Sequence, residues 1–237
     1  MRKDNLISPK HIALIPDGNR RWSKLHKLHI LNGYSVGINR FLEFSRWSKE
    51  FGVKTVTVWA LSTENLANRT SGELKILFKL YTKAAEDKKL LKDLKEEETR
   101  LNVIGDMRSL PKKLRSALRN MERETEMYKE YTINLLINYG GKEDLIYSMQ
   151  KLSREMQSNK RTKIDEKAMR ENLRTSQLPD VDLIVRTSGE MRLSGLLPWQ
   201  GSYSELYFAK KYWPDFNKSD FRKAIETFSK RQRRFGK

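Results

Sequence analysis

The chain has 237 residues, 38% of them hydrophobic, with five tryptophans, no cysteine, three histidines and a formal net charge of +18. This composition excludes a disordered chain, disulfide or thiolate chemistry, and in practice a zinc centre; it suits one α/β domain with a full core. The excess of cations implies an anionic partner: a diphosphate, a nucleic acid or an anionic membrane surface.

In chain order, MRKDNLISPK offers no apolar leader, and no run approaches the ~18 apolar residues of a membrane span. The expectation is a soluble cytoplasmic protein, with peripheral attachment at a membrane as the alternative. A strand is predicted over 11–16, followed by Asp17, Gly18, Asn19, Arg20, Arg21 and Trp22. Glycine permits a sharp turn whose N–H groups can cradle a phosphate. An aspartate beside such a cradle repels the anion unless a divalent cation lies between them, which implies Mg²⁺. Read alone, the same residues are equally a turn in which Asp17 caps a helix and Arg20 and Arg21 form a solvated face.

Helices follow over 33–51, where Phe41, Phe44, Trp47 and Phe51 keep helical spacing, and over 71–97, where Leu74, Leu77, Phe78 and Tyr81 do so. Between them a strand over 54–62 ends at Ser62, Thr63, Glu64 and Asn65. These four residues read either as a site or as a hydroxyl N-cap with an acid in the first turn. Strands at 100–105 and 131–139 flank a helix at 111–128. Asn138-Tyr139-Gly140-Gly141 then turns into a helix at 141–157, most simply because the turn needs glycine. Residues 158–168 are the expected long surface loop, with a helix at 165–173. A strand over 181–188 delivers Arg186, with Arg192, Leu193 and Ser194 following; a strand over 203–209 holds the lone carboxylate Glu205, and a last helix spans 218–233. Guanidinium and hydroxyl groups at the end of an apolar strand suit a polyanion site in an open α/β sheet. Buried-strand runs alternating with helices predict a mostly parallel six-stranded sheet flanked by helices in a single domain, 1–237.

Several of these segments, taken in order, resemble the cis-prenyltransferases: HIALIPDGNRRW at 11–22, Ser-Thr-Glu-Asn at 62–65, VIGD at 103–106, NYGG at 138–141, the whole of 181–208, WPDF at 213–216 and RRFG at 233–236. The resemblance covers nearly the whole chain. It implies a homodimer whose subunits each carry an apolar tunnel. The implied reaction is Mg²⁺-dependent condensation of isopentenyl diphosphate onto an allylic diphosphate, giving Z double bonds. It further implies that Asp17 positions the metal and assists loss of the allylic diphosphate. Gly18, Asn19, Arg20 and Arg21 hold that group, with Trp22 supporting the loop. Arg186, Arg192 and Ser194 bind isopentenyl diphosphate, with Leu193 between them, and Glu205 of the facing subunit supplies a metal contact. Asn65, with Ser62, Thr63 and Glu64 beside it, orients the homoallylic unit, and Arg234 and Gly236 reach across the dimer. Phe41, Phe44, Leu77, Phe78 and Tyr81 are expected to line the tunnel. The charged stretch from Lys92 to Arg100 resembles an insertion of long-chain members, which favours a long product.

The chain departs from the family pattern at four places. Ile30 stands for an arginine, Tyr34 for a histidine, and Leu66-Ala67-Asn68 for Trp-X-Arg, with Arg69 one position late. Lys24, Lys27 or Arg69 are the available substitutes. Leu136 and Ile137 replace small residues and are expected to narrow the tunnel. Two other classes stand beside this reading: a nucleic-acid binder, disfavoured because the basic residues lie scattered without interleaved aromatics, and one subunit of a heteromeric enzyme or a variant coupling enzyme with an unusual acceptor.

Overall fold

The computed structural model describes residues 6–161 and 163–231. Its frame is one six-stranded sheet in the order β3-β4-β2-β1-β5-β6, made of β1 (His11–Ile15), β2 (Thr55–Ser62), β3 (Thr99–Ile104), β4 (Tyr131–Tyr139), β5 (Leu183–Arg186) and β6 (Glu205–Phe208). Every neighbouring pair is parallel. The helices are α1 (Asn19–Leu25), α2 (Ile30–Glu50), α3 (Thr63–Asn68), α4 (Ser71–Ala85), α5 (Lys88–Glu96), α6 (Lys112–Thr125), α7 (Gly141–Gln157), α8 (Glu166–Asn172) and α9 (Lys218–Ser229).

The parallel sheet is buried on both faces, as expected when crossovers carry helices to each side. In β1, Ile12 and Leu14 enter one core, while Ala13 and Ile15 enter the other. That alternation is the period of two of a strand. Phe44 of α2 anchors the larger core. It meets Trp213 edge-on at 5.7 Å and Phe221 of α9 at 5.0 Å, and its burial contributes about 2–3 kcal/mol.

The six predicted strands and the parallel sheet stand. Four expectations need correction. The helix predicted over 71–97 is two helices, because Asp87 caps a fresh start: its carboxylate accepts from the Lys89 and Leu90 amides at 2.8 and 3.3 Å. The helix predicted from residue 33 begins at Ile30, where the His29 ring accepts from the Leu31 amide. Two short helices, α1 and α3, lie where no helix was assigned, although the capping alternatives at Asp17 and at Ser62–Asn65 each implied one; each is too brief to show an apolar stripe. The surface loop 158–168 is shortened because the helix predicted over 165–173 forms as α8, whose start Asp165 caps at the Ala168 amide, 2.9 Å away.

At NYGG the positive φ belongs to Asn138, at 49°. Gly141 is needed for close approach instead: a Cβ there would lie 2.2 Å from the Gly195 carbonyl oxygen. The turn therefore presses α7 against the loop after β5.

Candidate functional site

β1 lies between β2 and β5, where the direction of strand succession reverses. In open α/β sheets, ligands sit outside the carboxyl ends of strands at such a point. Asp17 follows β1 there and Arg186 ends β5. The loop at Asp17 is held from several sides. Its carbonyl accepts from Thr187 Oγ1 at 2.7 Å and from the Trp213 amide at 3.0 Å. Asn19 Nδ2 donates to the Pro16 carbonyl at 2.9 Å. Gly18 has φ 103°, and a Cβ on it would meet the Tyr212 ring at 2.7 Å, so no other residue fits without strain. The N-cap of α1 is Gly18, without a side-chain cap; Asp17 therefore does not cap this helix.

The Asp17 carboxylate is instead gripped by two guanidiniums. Arg186 Nη2 donates to Oδ2 at 2.8 Å and Arg21 Nη2 to Oδ1 at 3.1 Å. Burial alone would raise the carboxyl's pKa, but Arg186 and then Arg21 outweigh it and hold the group below its ordinary value. Arg186, only 6% exposed at its side chain, also donates to Ser194 Oγ at 2.9 Å and to the Arg192 carbonyl. Its Nε is buried without a partner, as is Asn19 Oδ1. Arg21 reaches Ser188 Oγ at 2.6 Å and Glu190 at 2.8 Å, and Glu190 also pairs with Arg192.

These groups stand at the mouth of an apolar cavity of about 1060 Å³. Asp17, Gly18, Asn19, Arg20, Arg21, Ser62, Glu64, Asn65, Arg186 and Ser194 all border it. The cavity runs beneath α2, between the sheet and α4 to α6, past Phe41, Tyr81, Leu94, Leu118 and Met121. Phe44 and Leu77, expected in the lining, are fully buried core, and Phe78 only packs against that core. Leu136 and Ile137 do not border the cavity either: Leu136 faces the other side of the sheet. The small-residue argument failed because Leu135, between β3 and β2, is the β4 side chain that reaches the cavity near that point.

Other expected residues lie elsewhere. Trp22 Nε1 donates to Asp215 at 2.7 Å, fastening α1 to the WPD turn. Thr63, Arg192 and Leu193 do not border the cavity. Ser62 caps α3 by accepting from the Asn65 amide at 3.0 Å, so the capping reading holds alongside its place at the cavity. Glu205 begins β6, at the opposite end of the sheet from Asp17, and pairs with Arg231 at 2.6 Å. Arg234 and Gly236 lie outside the described residues.

Arg69 is at the cavity wall. Its Nη1 donates to the Tyr34 hydroxyl at 2.8 Å, its guanidinium lies 5.5 Å from that ring's centre, and its Nε is buried unpaired. Ser188, Thr187 and Glu190 were missed by sequence reasoning; only Ser188-Gly189, with φ 74° and 75°, left a readable trace as a turn.

Among the described residues no cluster of three carboxylate, imidazole or thiol ligands could enclose a metal. Mg²⁺, however, takes one or two protein carboxylates and completes its shell from phosphate and water. Asp17, the carboxylate at the cavity mouth, fits that donor set.

The family model described as "Putative undecaprenyl diphosphate synthase" matches residues 15–236. An isoprenyl transferase of Thermotoga maritima is 39% identical over 228 residues, 96% of this chain and 97% of its own. A tritrans,polycis-undecaprenyl-diphosphate synthase (GGDP specific) of Sulfolobus acidocaldarius is also 39% identical, over 96% of this chain and 88% of its own. Among solved structures, lavandulyl diphosphate synthase of Lavandula x intermedia, in complex with dimethylallyl diphosphate, superposes with a TM-score of 0.93 at 30% identity, over 97% and 99% of the two chains.

Proposed function

The chain belongs to the undecaprenyl diphosphate synthase family and is a cis-type prenyltransferase, and from that premise we propose how its own residues perform the reaction. Isopentenyl diphosphate condenses with an allylic diphosphate to extend a Z-polyprenyl diphosphate, the chain growing into the cavity below α2. One observation carries this reading: the Asp17 carboxylate held between two guanidiniums at the mouth of an apolar cavity.

Arg20, Arg21 and the Gly18–Asn19 turn hold the allylic diphosphate, and Arg69 supplies the cation that Ile30 and Asn68 no longer give. Arg186 and Ser194 hold the isopentenyl diphosphate, whose double bond Asn65 orients for proton removal after the new C–C bond forms. Preorganised donors stabilise charge on the departing diphosphate without reorganising, and holding both substrates in one site supplies proximity. Asp17 would hold Mg²⁺, which when bound would supply neutralising charge at the diphosphate. A homodimer would bring Glu205 and the C-terminal Arg234 and Gly236 of the facing subunit to the site. No helix among the described residues is long and apolar enough to cross a membrane; the net charge of +18 favours peripheral attachment to an anionic bilayer.

The test is incubation of the purified protein with labelled isopentenyl diphosphate, Mg²⁺ and, separately, dimethylallyl, geranyl, farnesyl and geranylgeranyl diphosphates. A long-chain ladder is expected, with the geranylgeranyl primer tried first because several relatives are named for it. A single short product would instead support the variant-coupling reading, which Ile30 and Tyr34 favour. No product with any primer would point to one subunit of a heteromer.

A further inference from the structure

The segment made of the end of α1, the turn after it and the start of α2 reads Lys24-Leu25-His26-Lys27-Leu28-His29-Ile30-Leu31. Its leucines recur every third residue and are 67%, 44% and 37% exposed at Leu25, Leu28 and Leu31. Leucine is among the residue types most often buried. Three of the ten large apolar side chains exposed among the described residues thus fall within seven positions, so this is a patch rather than scatter. Lys24, Lys27, His26 and His29 are exposed between them.

The exposure is not fraying. The Leu28 amide donates to the Ser23 carbonyl at 2.9 Å, the Gly33 amide to Ser23 Oγ at 3.0 Å, and the Leu31 amide to His29 Nδ1 at 3.2 Å. The backbone therefore holds the leucines outward. Lys24, Leu28 and Ile30 also border the cavity, which makes the turn a lip of its mouth.

We propose that this lip is a membrane-docking surface, with Leu25, Leu28 and Leu31 entering the interface of an anionic bilayer and Lys24 and Lys27 meeting its headgroups. The inference rests on the prenyl-chain reading above: a lipidic product that leaves the cavity past an apolar lip passes into the bilayer without crossing water. Alternating apolar and basic side chains are what interfacial anchoring uses. A second copy of this chain is the poorer occupant, because two such lips would oppose lysine to lysine.

The experiment is co-sedimentation of the full chain with vesicles of phosphatidylcholine alone, or containing about 30% phosphatidylserine to give a negative surface. Two variants, Leu25→Ser/Leu31→Ser and Lys27→Glu, change residues that do not border the cavity. The parent should bind the anionic vesicles in a salt-sensitive way. The leucine variant should weaken binding at least tenfold while keeping turnover of short soluble diphosphates, and Lys27→Glu should weaken binding about five- to thirtyfold. Unchanged vesicle binding in both variants overturns the lip and leaves the membrane reading standing. No binding by the parent overturns both, while turnover still tests the reaction. Concentration-dependent self-association that the leucine variant abolishes would make the lip an interface between copies, and also overturns the proposal.

Discussion

Asp17 Oδ2 and Arg186 Nη2, 169 positions apart in the chain, lie 2.8 Å from each other at the ends of adjacent parallel strands. Arg186 is nearly buried, and this carboxylate is its acidic partner. Substituting Asp17→Ala should lower kcat by about a thousandfold or more, the scale of losing a preorganised electrostatic group. The unpaired guanidinium should cost a further ~1–3 kcal/mol of stability, below the fully buried limit because Asp17 is partly exposed. Turnover and thermal unfolding of one preparation check both; normal activity would refute the metal–diphosphate role.

Arg186→Lys keeps the charge but loses the fork that reaches Asp17, Ser194 and the Arg192 carbonyl at once. The KM for isopentenyl diphosphate should rise about 10- to 100-fold, at ~1.5–3 kcal/mol for a charge-assisted bond. The KM for the allylic substrate should change less. Equal effects on both would place Arg186 differently.

Arg69 and Tyr34 should separate in the opposite sense. Arg69→Ala removes a cavity-wall cation and should raise the allylic KM about 10-fold or more. Tyr34→Phe removes only one hydrogen bond to Arg69, so about fivefold is expected. An Arg69→Ala variant with unaltered allylic KM would show that Lys24 or another cation does this work.

These two residues also show where the sequence was legible. The strands, the parallel sheet and the Asp17 and Arg186 strand ends could be read because buried runs and strand-end polar residues are local signals. The partnership of Arg69 with Tyr34 could not, because it joins α2 to the segment between α3 and α4 through a tertiary contact. For the same reason only Phe41 and Tyr81, of the five residues expected to line the cavity, do so. Phe41, Phe44, Leu77 and Tyr81 share helical periodicity, but which apolar position faces a void rather than core depends on what packs opposite. Short α1 and α3 had too few residues to show any period at all.

Met121 and Leu118 of α6 border the cavity far from Asp17 in the sequence and next to β3 in the fold. Met121→Trp should shorten the products, since added bulk displaces the growing chain's end. Chromatography of butanol-extracted products checks this; an unchanged ladder would mean the chain leaves by another path.

Acid should destabilise the protein through His11. The ring is buried on β1, bonded to Thr57 Oγ1 at 2.8 Å and the Pro179 carbonyl at 3.0 Å. Burial pushes its pKa down from 6.5 to about 4, against the pull of Asp180 and Asp182. Between those values the unfolded chain binds a proton that the folded one refuses, so stability rises with pH across the window. It is fully present above pH 6.5 and falls as the pH drops towards 4, by about 3 kcal/mol at most. The melting temperature should therefore drop between pH 7 and pH 4.5, and His11→Gln should flatten that drop. An equal drop in both proteins would locate the titration elsewhere.

The pairing of β1 with β5 has a consequence for biogenesis. During synthesis β1 finds its second neighbour only once β5 has been made, since Ile12 pairs with Leu183. Until then the Asp17 loop lacks Thr187, Trp213 and Arg186, the groups that hold it in place. Such long-range pairing slows folding, because loop-closure entropy is met before the contacts form. A nascent or truncated chain that stops short of Trp213 therefore carries the Asp17 turn without its shape, and the turn is ordered only once β5 and the segment after it are in place.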